Sequence, residues 1–171
     1  AGFVSGGTVV RVLGSGFDAS APPLVRLGAR TLVRAHVRGA TVLEAVTPAQ
    51  TRPSLLALEL SLNAQDFTSD EVLFEYQPHA RVDDASPARG PGSGGTVVLI
   101  SGGLFSQRSA ARGYTHVRFN RTRVPALWLS ATELRCVAPE HSAGVVGVEA
   151  TQNGQQYTSS GARFEYEDVP T

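Results

Sequence analysis

Parts of this chain are written twice. Gly6-Gly7-Thr8-Val9-Val10 returns about ninety residues later as Gly94-Gly95-Thr96-Val97-Val98, and Phe74-Glu75-Tyr76 returns as Phe164-Glu165-Tyr166. Asn63-Ala64-Gln65-Asp66-Phe67-Thr68-Ser69 returns as Asn153-Gly154-Gln155-Gln156-Tyr157-Thr158-Ser159. The period exceeds the roughly 20–50 residues of a solenoid unit and matches a whole small domain. The chain is therefore read as a duplicated module, with each copy folding around its own modest core.

The repeat has a period of two within it. Val10 and Val12 share one face of Thr8–Leu13, and Val98 and Ile100 share one face of Thr96–Ser101. Val25-Arg26-Leu27 and Val117-Arg118-Phe119 alternate apolar, charged, apolar, and so do Leu56, Leu58 and Leu60 across Ala57 and Glu59. This is the pattern of half-buried antiparallel strands. Strands are expected near 7–13, 24–28, 31–37, 41–46, 55–62 and 71–76, and again near 95–101, 115–120, 122–129, 132–137, 144–152 and 161–166. Gly, Pro, Ser, Asn and Asp punctuate them as turns require. Helical spacing is approached only over Val33–Val46, where Gly39 and β-branched residues interrupt it, and a short helical turn is allowed near Asp66–Ser69. Many short strands divided by turns predict an all-β fold of two tandem β-sandwiches. Pro78 closes the first unit, which gives domains at 1–78 and 79–171. The first unit has no lead-in like Val82–Pro91, because the sequence begins at Ala1, so its first edge strand is expected either to be missing or to take its cover from elsewhere.

Hydrophobic residues make up 42% and charged residues 18%, a globular balance. Fifteen basic residues, all arginine, face fifteen acids, and zero net charge argues against a dedicated nucleic-acid binder. Cys136 is the only cysteine, so no disulfide framework forms within the chain and the compartment stays open. No apolar run reaches the roughly 18–20 residues of a membrane span, and no signal peptide is visible. A start at Ala1 without Met reads as a piece of a longer protein.

The ordered set of signals resembles the IPT/TIG family of immunoglobulin-like domains found in plexins and certain transcription factors. Ser86-Pro87 with Gly90-Pro91-Gly92 is similar to its opening turn, and Gly94–Gly102 to its first core strand. Val117-Arg118-Phe119, Thr132–Pro139 and Phe164-Glu165-Tyr166 are similar to three later strands. The first half matches at Gly6-Gly7-Thr8, Gly14-Ser15-Gly16-Phe17, Thr41–Pro48 and Phe74-Glu75-Tyr76. The resemblance implies immunoglobulin-like sandwiches. It also implies a cysteine at the place of Cys136 that pairs with a neighbouring strand in many members. Here the region around Val124-Pro125 offers no partner, and Ala45 stands at the matching place in the first half.

Candidate chemistry is sparse. Cys136 shares its strand parity with Leu134 and reads as a small buried hydrophobe. His36, His79, His116 and His141 lack metal-ligand spacing, and His79 and His141 are read as solvated. No metal site, cofactor or catalytic residue is expected. Asp83-Asp84 has two of the six or more oxygens a calcium site needs, and turn or capping chemistry explains the pair better. Trp128 is read as core. Asn120-Arg121-Thr122 is an N-glycosylation sequon at an expected hairpin turn. From Ala85 to Thr132 there is no acid, while Arg89, Arg108, Arg112, Arg118, Arg121 and Arg123 lie there. The loop Gly102–Tyr114 is longer than its counterpart in the first half. Arg108, Arg112, Tyr114, Arg121 and Arg123 are accordingly the expected partner-binding residues, against the alternative of a solvated face balanced by neighbouring acids.

These features point away from an enzyme. They predict an adhesion or scaffold segment of a larger extracellular or cell-surface protein, contacting a protein partner or neighbouring modules through end loops or an edge strand. The alternatives are a carbohydrate-associated accessory module of a glycan-active enzyme and a nucleic-acid-binding module of the transcription-factor branch.

Overall fold

Alternation in the sequence becomes alternation in burial. In β3 (Leu24–Leu27), Val25 and Leu27 are buried while Arg26 faces outward to pair with Glu59. The computed structural model describes residues 1–18 and 20–168. The chain divides into two compact units between Pro78 and His79, and each is an immunoglobulin-like β-sandwich.

The first unit holds β1 (Gly2–Phe3), β2 (Val9–Leu13), β3, β4 (Thr31–Gly39), β5 (Val42–Val46), β6 (Ser54–Ser61) and β7 (Leu73–Gln77). They follow the order β1-β7-β6-β3-β4-β5-β2. The long β4 serves both layers: Thr31–Arg34 pair with β3, and Ala35–Gly39 pair with β5. Phe17, Val25, Leu27, Leu43, Ala45, Leu58, Leu60, Phe74 and Tyr76 fill the space between the layers.

The second unit holds β8 (Arg81–Ser86), β9 (Arg89–Pro91), β10 (Val97–Gly103), α1 (Gln107–Ala111), β11 (His116–Phe119), β12 (Thr122–Pro125), β13 (Leu127–Ser130), β14 (Glu133–Val137), β15 (Gly144–Thr151) and β16 (Arg163–Glu167). One sheet runs β13-β14-β10-β8 and the other β12-β11-β15-β16-β9. Val82, Val98, Ile100, Val117, Phe119, Leu134, Val148 and Phe164 are fully enclosed between them.

The two cores repeat in detail. Phe74 meets Tyr76 edge-on at 5.1 Å, and Phe164 meets Tyr166 at 4.9 Å. Gly7 donates its N–H to Thr47 O at 2.8 Å, and Gly95 donates to Ala138 O at 2.9 Å. Gly6 and Gly94 both sit at positive φ (73° and 74°), where other residues are strained. That is why the first core strand of each unit starts at the valine after Gly-Gly-Thr rather than at the glycines.

The structure corrects three expectations. The strand expected at 122–129 is two strands in different sheets: Pro125 has no N–H to extend the ladder, and the chain changes layer at Ala126. As expected, the described residues of the first unit include no counterpart of β8; its Gly2–Phe3 pair parallel to Tyr76–Gln77 as Arg89–Pro91 pair to Glu165–Glu167. No helical turn forms at Asp66–Ser69, where the Asn63 side chain accepts the N–H groups of Gln65 and Asp66 instead. The short helix lies at Gln107–Ala111, opened by Ser106 accepting the N–H of Ser109.

Candidate contact surface

The Gly102–Tyr114 segment is anchored along its length. Phe105 and Ser109 are buried. The indole N–H of Trp128 donates to Phe105 O at 3.0 Å. The buried Gln152 uses both ends of its amide, accepting the Ser106 N–H and donating to Leu104 O at 3.2 Å. Tyr114 N–H returns to Ser109 O at 3.0 Å. Held this way against β13, the segment presents Arg112 and Tyr114 to solvent, Tyr114 at 47% exposure, with Arg108 half-buried. Leu127 and Leu129 on β13 are exposed as well. A basic surface with an aromatic and aliphatic component is suited to a protein partner, and a pre-anchored segment loses little conformational entropy on binding.

The five expected residues do not converge. Arg108, Arg112 and Tyr114 lie before the start of β11, whereas Arg121 sits with Asn120 in the turn at its far end, one four-residue strand (about 13 Å) away. Arg123 stands between these ends on β12, directly opposite Arg118. Asn120 is exposed at φ 53°, and its side-chain amide lies 3.2 Å from His141 Nε2.

Sequence reasoning missed a feature that both units share. Arg26 pairs with Glu59 at 2.5 Å and lies over the Phe67 ring at 4.1 Å. Arg118 pairs with Glu149 and lies over the Tyr157 ring at 4.0 Å. The available signal was the repeated Val-Arg-(Leu/Phe) triplet, whose arginine recurs with the aromatic of the Asn-x-Gln motif. Arg118 is thereby taken up within its own sheet.

Asp83 and Asp84 lie in strand β8, not in a turn, and Asp83 accepts from Arg81 at 2.9 Å. Among the described residues, no group of three or more His, Cys, Asp or Glu could hold a metal ion. His141 is not simply solvated: its ring stacks on Tyr166 at 5.0 Å. His79 is exposed. Trp128 packs part-buried against the core. Cys136 is buried on the inward face beside Leu134, and burial pushes its thiol up to about 12. It is therefore a poor nucleophile at neutral pH. No helix among the described residues is long and apolar enough to cross a membrane.

Such a chain is a tandem pair of immunoglobulin-like β-sandwiches. Residues 80–166 match the model of the IPT/TIG domain, and the chain belongs to that family, a family of non-catalytic immunoglobulin-like modules. A calmodulin-binding transcription activator 6 of Arabidopsis thaliana is 33% identical over 90 residues, covering 52% of this chain and 11% of the relative. Two structures of the plexin A4 extracellular region share the fold. One, with domains 1 to 8, has a TM-score of 0.54 at 19% identity and covers 97% of this chain and 17% of that one. The other, spanning domains 1 to 10, has a TM-score of 0.53 at 20% identity over 84% of this chain and 12% of that one. The chain thus spans only a small part of each of these proteins.

Proposed function

We propose that the chain is a non-enzymatic adhesion or scaffold segment of a larger extracellular or cell-surface protein, acting through protein–protein contacts. Its first unit is a second IPT/TIG domain, with the boundary at Pro78. The observation that carries this reading is the anchored α1 segment. A simple connector between β10 and β11 has no need of four separate anchors (Phe105, Ser109, Trp128 and Gln152), and among the described residues the first unit joins β2 to β3 without a helix. Those anchors hold Arg112 and Tyr114 outward as a ready contact surface. The exposed sequon asparagine Asn120 supports the extracellular setting. Arg121 and Arg123, displaced from that end, serve at most as a separate rim.

The test is capture of cell-surface proteins on the immobilised chain, comparing wild type with an Arg112→Glu/Tyr114→Ala variant and with Arg121→Glu. Proteins retained by wild type and by Arg121→Glu but lost from the double variant, at unchanged melting temperature, are expected. Equal capture by all three removes the α1 surface from consideration.

A second reading, a nucleic-acid-binding module, is favoured by the likeness to the plant transcription activator and by the acid-free arginine stretch. It requires duplex DNA binding that weakens steeply with salt. No binding at low salt disposes of it.

A further inference from the structure

The hairpin between β11 and β12 differs from its counterpart in the first unit. There Leu27 pairs with Thr31 across three residues, and the left-handed position is a glycine, Gly28 at φ 64°. In the second unit Phe119 pairs with Thr122 across two residues, and the left-handed position is Asn120 at φ 53°. Glycine meets such a turn without steric cost, so the turn alone does not require asparagine. Exchange of glycine for asparagine and loss of one residue together set a threonine two positions after the asparagine. The chain has three asparagines, Asn63, Asn120 and Asn153, and only Asn120 has Ser or Thr at that spacing.

The tertiary structure adds what the triplet does not show. Asn120, Arg121 and Thr122 are all exposed. His141 Nδ1 lies 2.7 Å from Ser142 O; a carbonyl only accepts, so Nδ1 holds the proton and Nε2 is left as an acceptor. Nε2 lies 3.2 Å from Asn120 Nδ2, which donates one of its two N–H groups to it. An N-linked sugar replaces one amide hydrogen and leaves the other, so Asn120 is open to modification without giving up His141. The imidazole is itself fixed, stacked on the Tyr166 ring at 5.0 Å, and it walls an open cleft with Gly92, Ser93, Glu140 and Ser142. A sugar bonded to Nδ2 therefore starts one covalent bond from an atom already against the ring, with a polar cleft alongside.

We propose that Asn120 carries an N-linked glycan whose innermost N-acetylglucosamine rests against His141. The donor is an oligosaccharide joined to a lipid through pyrophosphate. A bond forms between Asn120 Nδ2 and the anomeric carbon, the bond from that carbon to the pyrophosphate oxygen breaks, and the proton lost by the amide ends on the departing pyrophosphate. The inference rests on the extracellular reading for its compartment. The glycan stands at the far end of β11 from the α1 segment and leaves that surface uncovered, so loss of either leaves the other standing.

The test uses the whole chain, secreted from mammalian cells behind an added signal peptide. A single glycan is expected, removed by peptide N-glycosidase, which leaves aspartate at position 120 for mass spectrometry to find. Asn120→Gln and Thr122→Val should each abolish it, the second with the asparagine still in its turn. The chain labelled with 13C-histidine and trimmed to one N-acetylglucosamine is then compared by NMR with the same chain bearing no sugar. The ring signals of His141 should shift, while those of His36 and His79 stay in place. A secreted chain without sugar overturns the proposal, as does a glycan that survives Thr122→Val and so lies elsewhere. Unmoved His141 signals in the trimmed chain also overturn it, by showing that the sugar hangs free. None of these outcomes alters capture by the α1 surface, which stands or falls by its own variants.

Discussion

Arg118 lies over the ring of Tyr157, its guanidinium carbon 4.0 Å from the centroid, while the same side chain pairs with Glu149. The arrangement repeats at Arg26, Phe67 and Glu59, so it belongs to the module rather than to one copy. Each arginine ties the loop that carries the aromatic to the outer face of the sheet. Cation–π contacts at half-exposed sites contribute about 0.5–1 kcal/mol. A double-mutant cycle between Arg118→Ala and Tyr157→Ala is expected to give a coupling of about that size. Urea unfolding followed by Trp128, the only tryptophan and a reporter of the second unit, measures it. Strict additivity would mean that the ring and the guanidinium merely lie close.

Neighbouring glycines separate strain from collision. Gly94 and Gly95 both have positive φ, 74° and 85°. A Cβ on Gly95 meets nothing within 4 Å, but on Gly94 it lies 2.7 Å from the main chain of Pro139 and Glu140. Gly95→Ala should therefore cost only the left-handed penalty, about 1–2 kcal/mol. Gly94→Ala adds a clash that only main-chain movement relieves, and should exceed about 3 kcal/mol. Equal losses in the same Trp128-detected unfolding would show that the Pro139 turn yields freely.

Alkaline pH should weaken the second unit. The Cys136 thiol, ordinarily at 9.0, is held up at about 12 by burial. Tyr166, ordinarily at 10.0, is likewise at about 12 through burial and then the charge of Cys136. Both folded-state values are raised, so the folded form keeps protons that the unfolded form releases. The associated stability is complete below pH 9 and drains away as pH climbs towards 12. The unfolding midpoint should fall from pH 9 upward, and Cys136→Ala should flatten the first part of that fall, leaving the Tyr166 part above pH 10. A wild-type slope unchanged by Cys136→Ala would contradict the burial of the thiol.

The tyrosines show how far the copies have diverged. Tyr76 donates its hydroxyl to Pro48 O at 3.0 Å. The hydroxyl of Tyr166 is buried with no hydrogen-bond partner among the described residues, and its ring is covered by His141. Phe-Glu-Tyr recurs unchanged in sequence, so this difference could not be read from the motif. It depends on the turn that each tyrosine meets across the sandwich.

Much of the fold was legible because period two and turn chemistry are local. Val25, Leu27, Val117 and Phe119 had to face one way for any sheet to bury them, and Gly6 and Gly94 had to stand where φ is positive. Less of the contact surface was legible. Arg108, Arg112, Tyr114, Arg121 and Arg123 are close in sequence, but β11 carries the chain away before Arg121 is reached, and the hairpin returns only Arg123. Adjacency along the chain does not survive a four-residue strand.

The amino-acid order alone determined that a sandwich was copied and which side chains each copy buries, because both follow from local alternation and from the repeat. Tertiary structure alone decided where β4 stays whole while its counterpart breaks at Pro125-Ala126. It also decided which arginines are taken up by Glu59 and Glu149. Those outcomes depend on pairings between residues far apart in the chain, and no local pattern records which partner arrives.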